Sequence, residues 1–201
     1  NPVIGVCGWA GYKNLKNHIG TVVKNSLIEA SSILGIRREA RVKGITYRMK
    51  AIKHLQKSTV TEPNFIIRNS YSGHTSTIKT DPEQARREYI DNLLGSDYAL
   101  IIKGDGNYSY RFYEALSLGR IPVLLDTECV LPLEDVIHYD EFILRVPFWD
   151  IFHLDHIVAD HYSKISNADF IAMQKKAREA FEKYLRVDKY LEYVTSHSLR
   201  A

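Results

Sequence analysis

Between Lys103 and Ala115 the chain reads Lys-Gly-Asp-Gly-Asn-Tyr-Ser-Tyr-Arg-Phe-Tyr-Glu-Ala, a run whose residue types suit a nucleotide. Gly104 and Gly106 let the backbone come close to a ligand. A helix beginning just after them would turn unpaired N–H groups and the positive end of its dipole towards an anion, so a phosphate fits there. Arg111 falls in the first turns of that helix, where its planar fork can take a diphosphate in a way that lysine cannot copy. Glu114, three residues on, shares its face, and a carboxylate suits the two hydroxyls of a ribose. The same spacing also describes an exposed ion pair worth a few tenths of a kcal/mol. Residue types alone leave both readings open.

A dinucleotide site competes for the same run. Gly104-x-Gly106-x-x-Ser109 follows a strand, and Asp126 closes the next strand, where a ribose-binding acid would sit. Ser109 replaces the third glycine, however, the motif lies mid-chain, and nothing supplies a hydride-transfer partner. Among the thirteen tyrosines, Tyr108 is the candidate for stacking on a ligand ring, while Tyr110 and Tyr113, at helical spacing, are assigned to the core. The histidines show no paired zinc spacing, Cys7 and Cys129 have no flanking catalytic motif, and Ser109 lacks a nucleophile elbow. Metal and hydrolase chemistry are not favoured, and two cysteines point weakly to a reducing compartment.

The elements that must position these residues alternate. Val3 to Cys7 is a short apolar run ended by Gly8 and Gly11, and Ile19, Val23 and Leu27 then recur at helical spacing. Asn64 to Arg68 is a second strand, followed by a polar loop from Asn69 to Thr80. Asp81-Pro82-Glu83 opens a helix that carries Tyr89, Leu93 and Leu94 and stops at Gly95. Tyr98 to Ile102 is a strand, a helix ends at Gly119, and Ile121 to Leu125 is an apolar strand without alternation, the mark of a parallel strand buried on both faces. A strand from Phe142 to Val146 and a long helix from about Ala168 to Leu185, with Phe170, Met173, Ala177, Phe181 and Tyr184 on one face, complete the pattern. This predicts a doubly wound parallel α/β domain, Rossmann-like, with ligands beyond the carboxyl ends of its strands. Residues 1–201 form one domain in this reading, the helices from about residue 168 extending beyond its body.

Composition narrows the rest. With 45% hydrophobic and 25% charged residues the chain is globular, and a net charge of +3 is far from the balance of a nucleic-acid binder, so no nucleic-acid partner is expected. Charge is uneven: Arg37 to Lys57 holds eight basic residues against Glu39, and Glu128 to Asp160 holds eight acids against Arg145. Ile45, Met49 and Ile52 interleave with lysines, so segment 37–57 is either a solvated face over a buried stripe or a surface for anionic lipid, an acidic substrate or a partner. No stretch is long and apolar enough to span a bilayer.

From Tyr89 to Val146 the chain resembles the exostosin family of glycosyltransferases in its compact bacterial form. The residues that carry the resemblance are Ser96-Asp97-Tyr98-Ala99-Leu100, Gly104, Gly106 through Leu116, Gly119-Arg120-Ile121-Pro122-Val123, Asp126, Leu131-Pro132, Asp135 and Phe142. The resemblance implies the carboxyl-terminal, donor-binding half of a GT-B enzyme that transfers a sugar with inversion, from a UDP-sugar to a saccharide acceptor, with no required cofactor or metal. It maps Ser109 and Arg111 to the diphosphate, Glu114 to the ribose, and Gly104 and Gly106 to a close-approach loop. Fold analogy adds the loop from Gly8 to Tyr12. The expected donor-binding set is therefore Gly8, Gly104, Gly106, Asn107, Tyr108, Ser109, Arg111 and Glu114.

The family's acceptor domain, and with it the general base, is expected to lie outside these residues. Lys103 departs from the family's pattern and receives no role. Asn107-Tyr108-Ser109 is also a glycosylation sequon, and a glycan there would block the donor. A cytoplasmic location, free or membrane-peripheral, is therefore expected, and a lumenal one if an upstream anchor was removed. A non-catalytic sugar-nucleotide-binding module is the alternative to an enzyme, with an NAD-binding domain behind it.

Overall fold

A computed structural model describes residues 1–11, 19–21, 23–25, 27–28, 42–68 and 81–198. Its elements are β1 (Val3–Trp9), α1 (Gly44–Leu55), β2 (Glu62–Arg68), α2 (Pro82–Leu94), β3 (Tyr98–Ile101), α3 (Tyr110–Ser117), β4 (Ile121–Asp126), β5 (Leu144–Pro147), α4 (Leu154–Lys164), α5 (Asn167–Ala180) and α6 (Val187–Ser198). The five strands are parallel and ordered β2-β1-β3-β4-β5. The chain winds from β1 to one side and then returns to the other. The carboxyl ends of β1 and β3 therefore diverge into helices on opposite faces, which opens a crevice between them. This is the doubly wound α/β architecture that the alternating pattern predicts.

Both faces of the sheet are covered. On one, Ile4, Val6, Leu100, Ile102, Val123, Leu125 and Val146 pack with Tyr47, Ala51, Ile52 and Leu55 of α1 and with Leu154 and Val158 of α4. On the other, Ala99, Ile101 and Leu124 pack with Leu93, Phe112, Ala115 and Leu116, and with Ala177 and Ala180 of α5. Each fully buried Leu, Ile or Val side chain contributes about 1.5–3 kcal/mol, which is why β3 and β4 read as unbroken apolar runs. Asp81 starts α2 as expected, its carboxylate accepting from Gln84 N at 2.9 Å with Pro82 in the first turn.

Several expectations are corrected in detail. β5 begins at Leu144, because Phe142 and Ile143 leave a 3-10 turn, Tyr139–Glu141, and are buried in the core before strand pairing starts. The 3-10 turn Phe148–His153, α4 and α6 were not predicted; their apolar residues are too few or too irregular to set a clear period. The face Phe170, Met173, Ala177, Phe181 and Tyr184 does meet the core, but across α5 and a π-helical turn, Phe181–Leu185. Beyond residue 168, α5 packs on the body through Ala177 and Ala180.

Ile19, Val23 and Leu27 are helical yet exposed, whereas Asn25 and Ile28 are buried. In α1 the core stripe is Tyr47, Ala51, Ile52 and Leu55, with Ile45 and Met49 only half-buried. Tyr12, the basic residues 37–41 and the loop 69–80 lie outside the described residues. Cys7 is buried in β1, Cys129 is half-buried after β4, and both are free.

Candidate active site

A cleft of about 490 Å³ opens across the carboxyl ends of β1, β2 and β3. That volume is in the range of small-molecule sites. Cys7, Gly8 and Trp9 form its β1 side, Arg68 ends β2, Arg48 enters from α1, and Ala85, Arg86 and Tyr89 line it from α2. Ser109, Tyr110, Arg111 and Glu114 enter from the start of α3. Gly8 adopts φ 153° and a Cβ built on it meets nothing within 4 Å. The backbone there is bare on the side where a ligand would approach.

Arg111 and Glu114 line this cleft together, as their shared helix face predicts, and Tyr89 stands between them. Arg111 Nη1 donates to Cys7 O at 2.8 Å, and Nη2 to Gly5 O at 3.3 Å and Asn92 Oδ1 at 3.0 Å. Its Nε is buried with no acceptor among the described residues. The guanidinium lies over the Tyr89 ring, 5.0 Å from its centroid, and the Tyr89 hydroxyl donates to Glu114 Oε2. The arginine is thus fastened to the end of β1, with its fork on main-chain carbonyls. Burial lowers its pKa, opposed by Tyr89, Cys7 and Glu114. Burial also raises the pKa of Tyr89, with Arg111 opposing and Glu114 adding to the rise, so the phenol keeps its proton and remains a donor.

The glycine loop is closed by Gly104 N donating to Tyr108 O at 2.9 Å, and Gly44 N donates to Gly104 O at 3.2 Å. α1 and the loop touch so closely that a Cβ on Gly44 would lie 1.8 Å from Lys103 O. Gly104 and Gly106 shape the loop, and neither is among the residues lining the cleft. A Cβ on Gly106 would fall 2.5 Å from the Tyr108 ring. Asn107 points to the next loop: its Nδ2 donates to Thr127 O at 3.1 Å and Glu128 O at 3.2 Å, and its Oδ1 accepts from Thr127 Oγ1 at 2.5 Å. It ties the loops after β3 and β4 together.

Ser109 precedes α3 without capping it, so its hydroxyl lines the cleft. Tyr108 is 57% exposed and meets Tyr110 edge-on at 5.5 Å. Tyr110, expected in the core, is 71% exposed and lines the cleft from the first residue of α3; Tyr113 is half-buried against the core as expected. Asp105 is exposed, and Asp126, the acid of the dinucleotide reading, caps its own turn by accepting from Cys129 N at 3.1 Å and pairs with Arg145 at 3.7 Å. Asp126 does not line the cleft. Lys103 is buried beside a separate cavity of about 30 Å³, and burial lowers its pKa.

Three cationic residues of the cleft escaped the sequence reading. Arg48 donates to Trp9 O at 2.9 Å, Arg68 to Ala85 O at 3.0 Å and to Glu88 at 3.1 Å, and Arg86 is exposed on α2. Arg48 belongs to the basic segment already noted, but only the fold turns it towards β1. Tyr89 was read as a helix apolar position; its hydroxyl was the overlooked signal. Among the described residues, Glu114 is the one carboxylate that lines the cleft, and no group of three His, Cys, Asp or Glu is placed to hold a metal ion.

Comparison with known proteins gives the family. A family model described as the Exostosin GT47 domain matches residues 36–160, well beyond the run from Tyr89 to Val146. An exostosin-1 homolog of Caenorhabditis elegans is 25% identical over 122 residues, which is 61% of this chain and 30% of the relative. Exostosin-1 of Drosophila melanogaster is 29% identical over 118 residues, 59% of this chain and 15% of the relative. The matched part of the chain thus spans less than a third of either relative's length. On the extent of the family match, with the α/β sheet that frames it, the chain belongs to the exostosin GT47 domain family.

Proposed function

We propose that the cleft binds a nucleoside-diphosphate sugar, a UDP-sugar by preference, and that the chain serves as the donor-binding half of a GT-B glycosyltransferase acting with inversion on a saccharide acceptor. The observation that carries this is the convergence of Arg48, Arg68, Arg86 and Arg111 with a single carboxylate, Glu114, at the β1/β3 crevice. Arg48, Arg68, Arg86 and the amino end of α3 suit a diphosphate, and Arg111, its fork held by Cys7 O, Gly5 O and Asn92 Oδ1, adds positive charge beneath them. Glu114 suits the ribose, with Gly8 and Ser109 at the phosphates, Gly104, Gly106 and Asn107 fixing the loop, and Tyr110, which lines the cleft, offering its ring to the base.

In the reaction, an acceptor hydroxyl oxygen bonds to the anomeric carbon as the bond from that carbon to the diphosphate oxygen breaks. The hydroxyl proton passes to a base, and the arginines stabilise the charge gathering on the departing diphosphate. Glu114 accepts from Tyr89 through one oxygen, and among the described residues no other carboxylate lines the cleft. Residues 1–201 alone are expected to bind donor without turning it over, the base being supplied by the acceptor-binding half.

Calorimetry with UDP in the presence of EDTA tests the reading. Binding without added metal, stronger for UDP than for NADH, is the expected result. Binding that requires Mg²⁺ or Mn²⁺, or a preference for NADH, overturns it. Transfer by the 201-residue chain alone at roughly 1 per second or faster would place the base within it.

A further inference from the structure

The 3-10 turn Phe148–His153 follows β5 and lies along α1: Phe148 meets Tyr47 at 5.9 Å, and Phe152 meets His54 edge-on at 6.2 Å. Two of its aromatic side chains nevertheless face outward, Trp149 at 59% and Phe152 at 58% exposure. Large apolar groups left in water beside one another mark a contact surface. The lysines of α1 lie next to them. Lys43 at the N-cap, Lys50 within the helix and Lys57 just past its end recur at heptad spacing, which keeps them on one stripe, and His54 sits on that stripe between the last two. Because His54 touches Phe152, the lysine row runs alongside the aromatic turn. Lys43 and Lys57 are exposed, whereas Lys50 is half-buried and engaged in a contact of its own. Of the neighbouring acids, Asp155 is buried and bonded to His54 at 2.8 Å, which leaves Asp150 as the acid on the turn itself.

We propose that Trp149 and Phe152, with Lys43 and Lys57, form a docking surface for an anionic lipid headgroup layer. The aromatic pair stands on an exposed turn, and neither cavity described above includes it. Protruding rings need a partner that yields around them. A headgroup layer does so, and tryptophan favours that half-wet environment, while an extended peptide or glycan would require a groove. The lysines supply charge complementarity, about fivefold in partitioning per residue near an anionic surface. Among the described residues no helix is long and apolar enough to cross a membrane, so the contact is superficial. The apolar positions of α1 have no part in it: Ile52 is buried, and Ile45 and Met49 are half-buried.

The surface is independent of sugar transfer, and its test uses the full chain with vesicles of phosphatidylcholine, with or without phosphatidylserine as the minority lipid. Co-sedimentation with the anionic vesicles only is expected, accompanied by a blue shift of tryptophan emission that Trp149→Phe abolishes. Trp149→Ser with Phe152→Ser, and separately Lys43→Glu with Lys57→Glu, should each lower partitioning at least about tenfold. Circular dichroism checks that both pairs remain folded, and the single Trp149→Ser variant replaces the pair should it unfold. Equal binding to neutral vesicles, partitioning indifferent to both pairs, or capture by soluble dextran sulfate without vesicle binding overturns the lipid assignment.

Discussion

The hydroxyl of Tyr89 donates to the carboxylate of Glu114, and this bond ties α2 to α3 across the cleft. The Tyr89 ring also carries the Arg111 guanidinium at 5.0 Å. One side chain thus orients both residues that the spacing of α3 singles out. Glu114 keeps its other oxygen for a ligand, and a carboxylate held in place costs less ordering when a ribose arrives.

Tyr89→Phe keeps the ring and removes the hydroxyl. UDP affinity is expected to fall by about 0.5–1.5 kcal/mol, while affinity for inorganic diphosphate, which does not use Glu114, is unchanged. Calorimetry with both ligands checks this. Equal losses would detach Tyr89 from the ribose contact.

Arg111→Lys retains a cation but cannot serve Cys7 O, Gly5 O and Asn92 Oδ1 together. Stability should drop by about 1.5–3 kcal/mol in urea unfolding, because buried carbonyls lose charged donors. UDP affinity should fall more than uridine affinity. A variant of unchanged stability would show that the β1 end does not depend on this fork.

Gly44→Ala pushes a methyl group into the Lys103 carbonyl, which leaves no rotamer by which to escape. Overpacking of this kind costs about 1–3 kcal/mol or more. The glycine loop must shift with it, so UDP binding should weaken along with the thermal midpoint. Crystallography or calorimetry of the variant would expose an unmoved loop.

The histidine at 161 gives a pH dependence with a definite sign. Tyr98, fully buried, is hydrogen-bonded through its hydroxyl to His161 Nδ1 at 2.8 Å, and burial lowers the histidine's pKa from 6.5. The unfolded chain then takes up the proton near pH 6.5 while the folded chain resists it. Stability is therefore full above that pH and declines as the pH falls from about 6.5 towards the folded-state value. Thermal unfolding across that window should show the decline, and His161→Gln should flatten it.

Sequence and structure part company for identifiable reasons. β4 was legible because burial on both faces removes alternation, and α2 because Asp81 and Pro82 start it unambiguously. Arg111 and Glu114 were paired correctly by helical geometry, since i and i+3 share a face whatever surrounds them. Arg48 and Arg68 were not readable as site residues. They reach the cleft only because β1 lies between β2 and β3, and local spacing carries no trace of that order. Asn107 misled in another way: its position in a glycine loop suits a ligand, yet its amide is spent on Thr127 and Glu128 of a loop twenty residues on.

The central place of β1 has a kinetic consequence. β3 and β4 pair Tyr98 with Ile121 across one short helical connection, whereas β1 pairs Val3 with Glu62 and Ile4 with Tyr98, both far along the chain. Closing such distant contacts is entropically expensive and slow, so the β3-α3-β4 unit is expected to assemble first and β1 to insert late. The main-chain carbonyls that receive Arg111 belong to that last strand. A folding intermediate would carry every residue of the glycine loop and still have no floor beneath its nucleotide pocket.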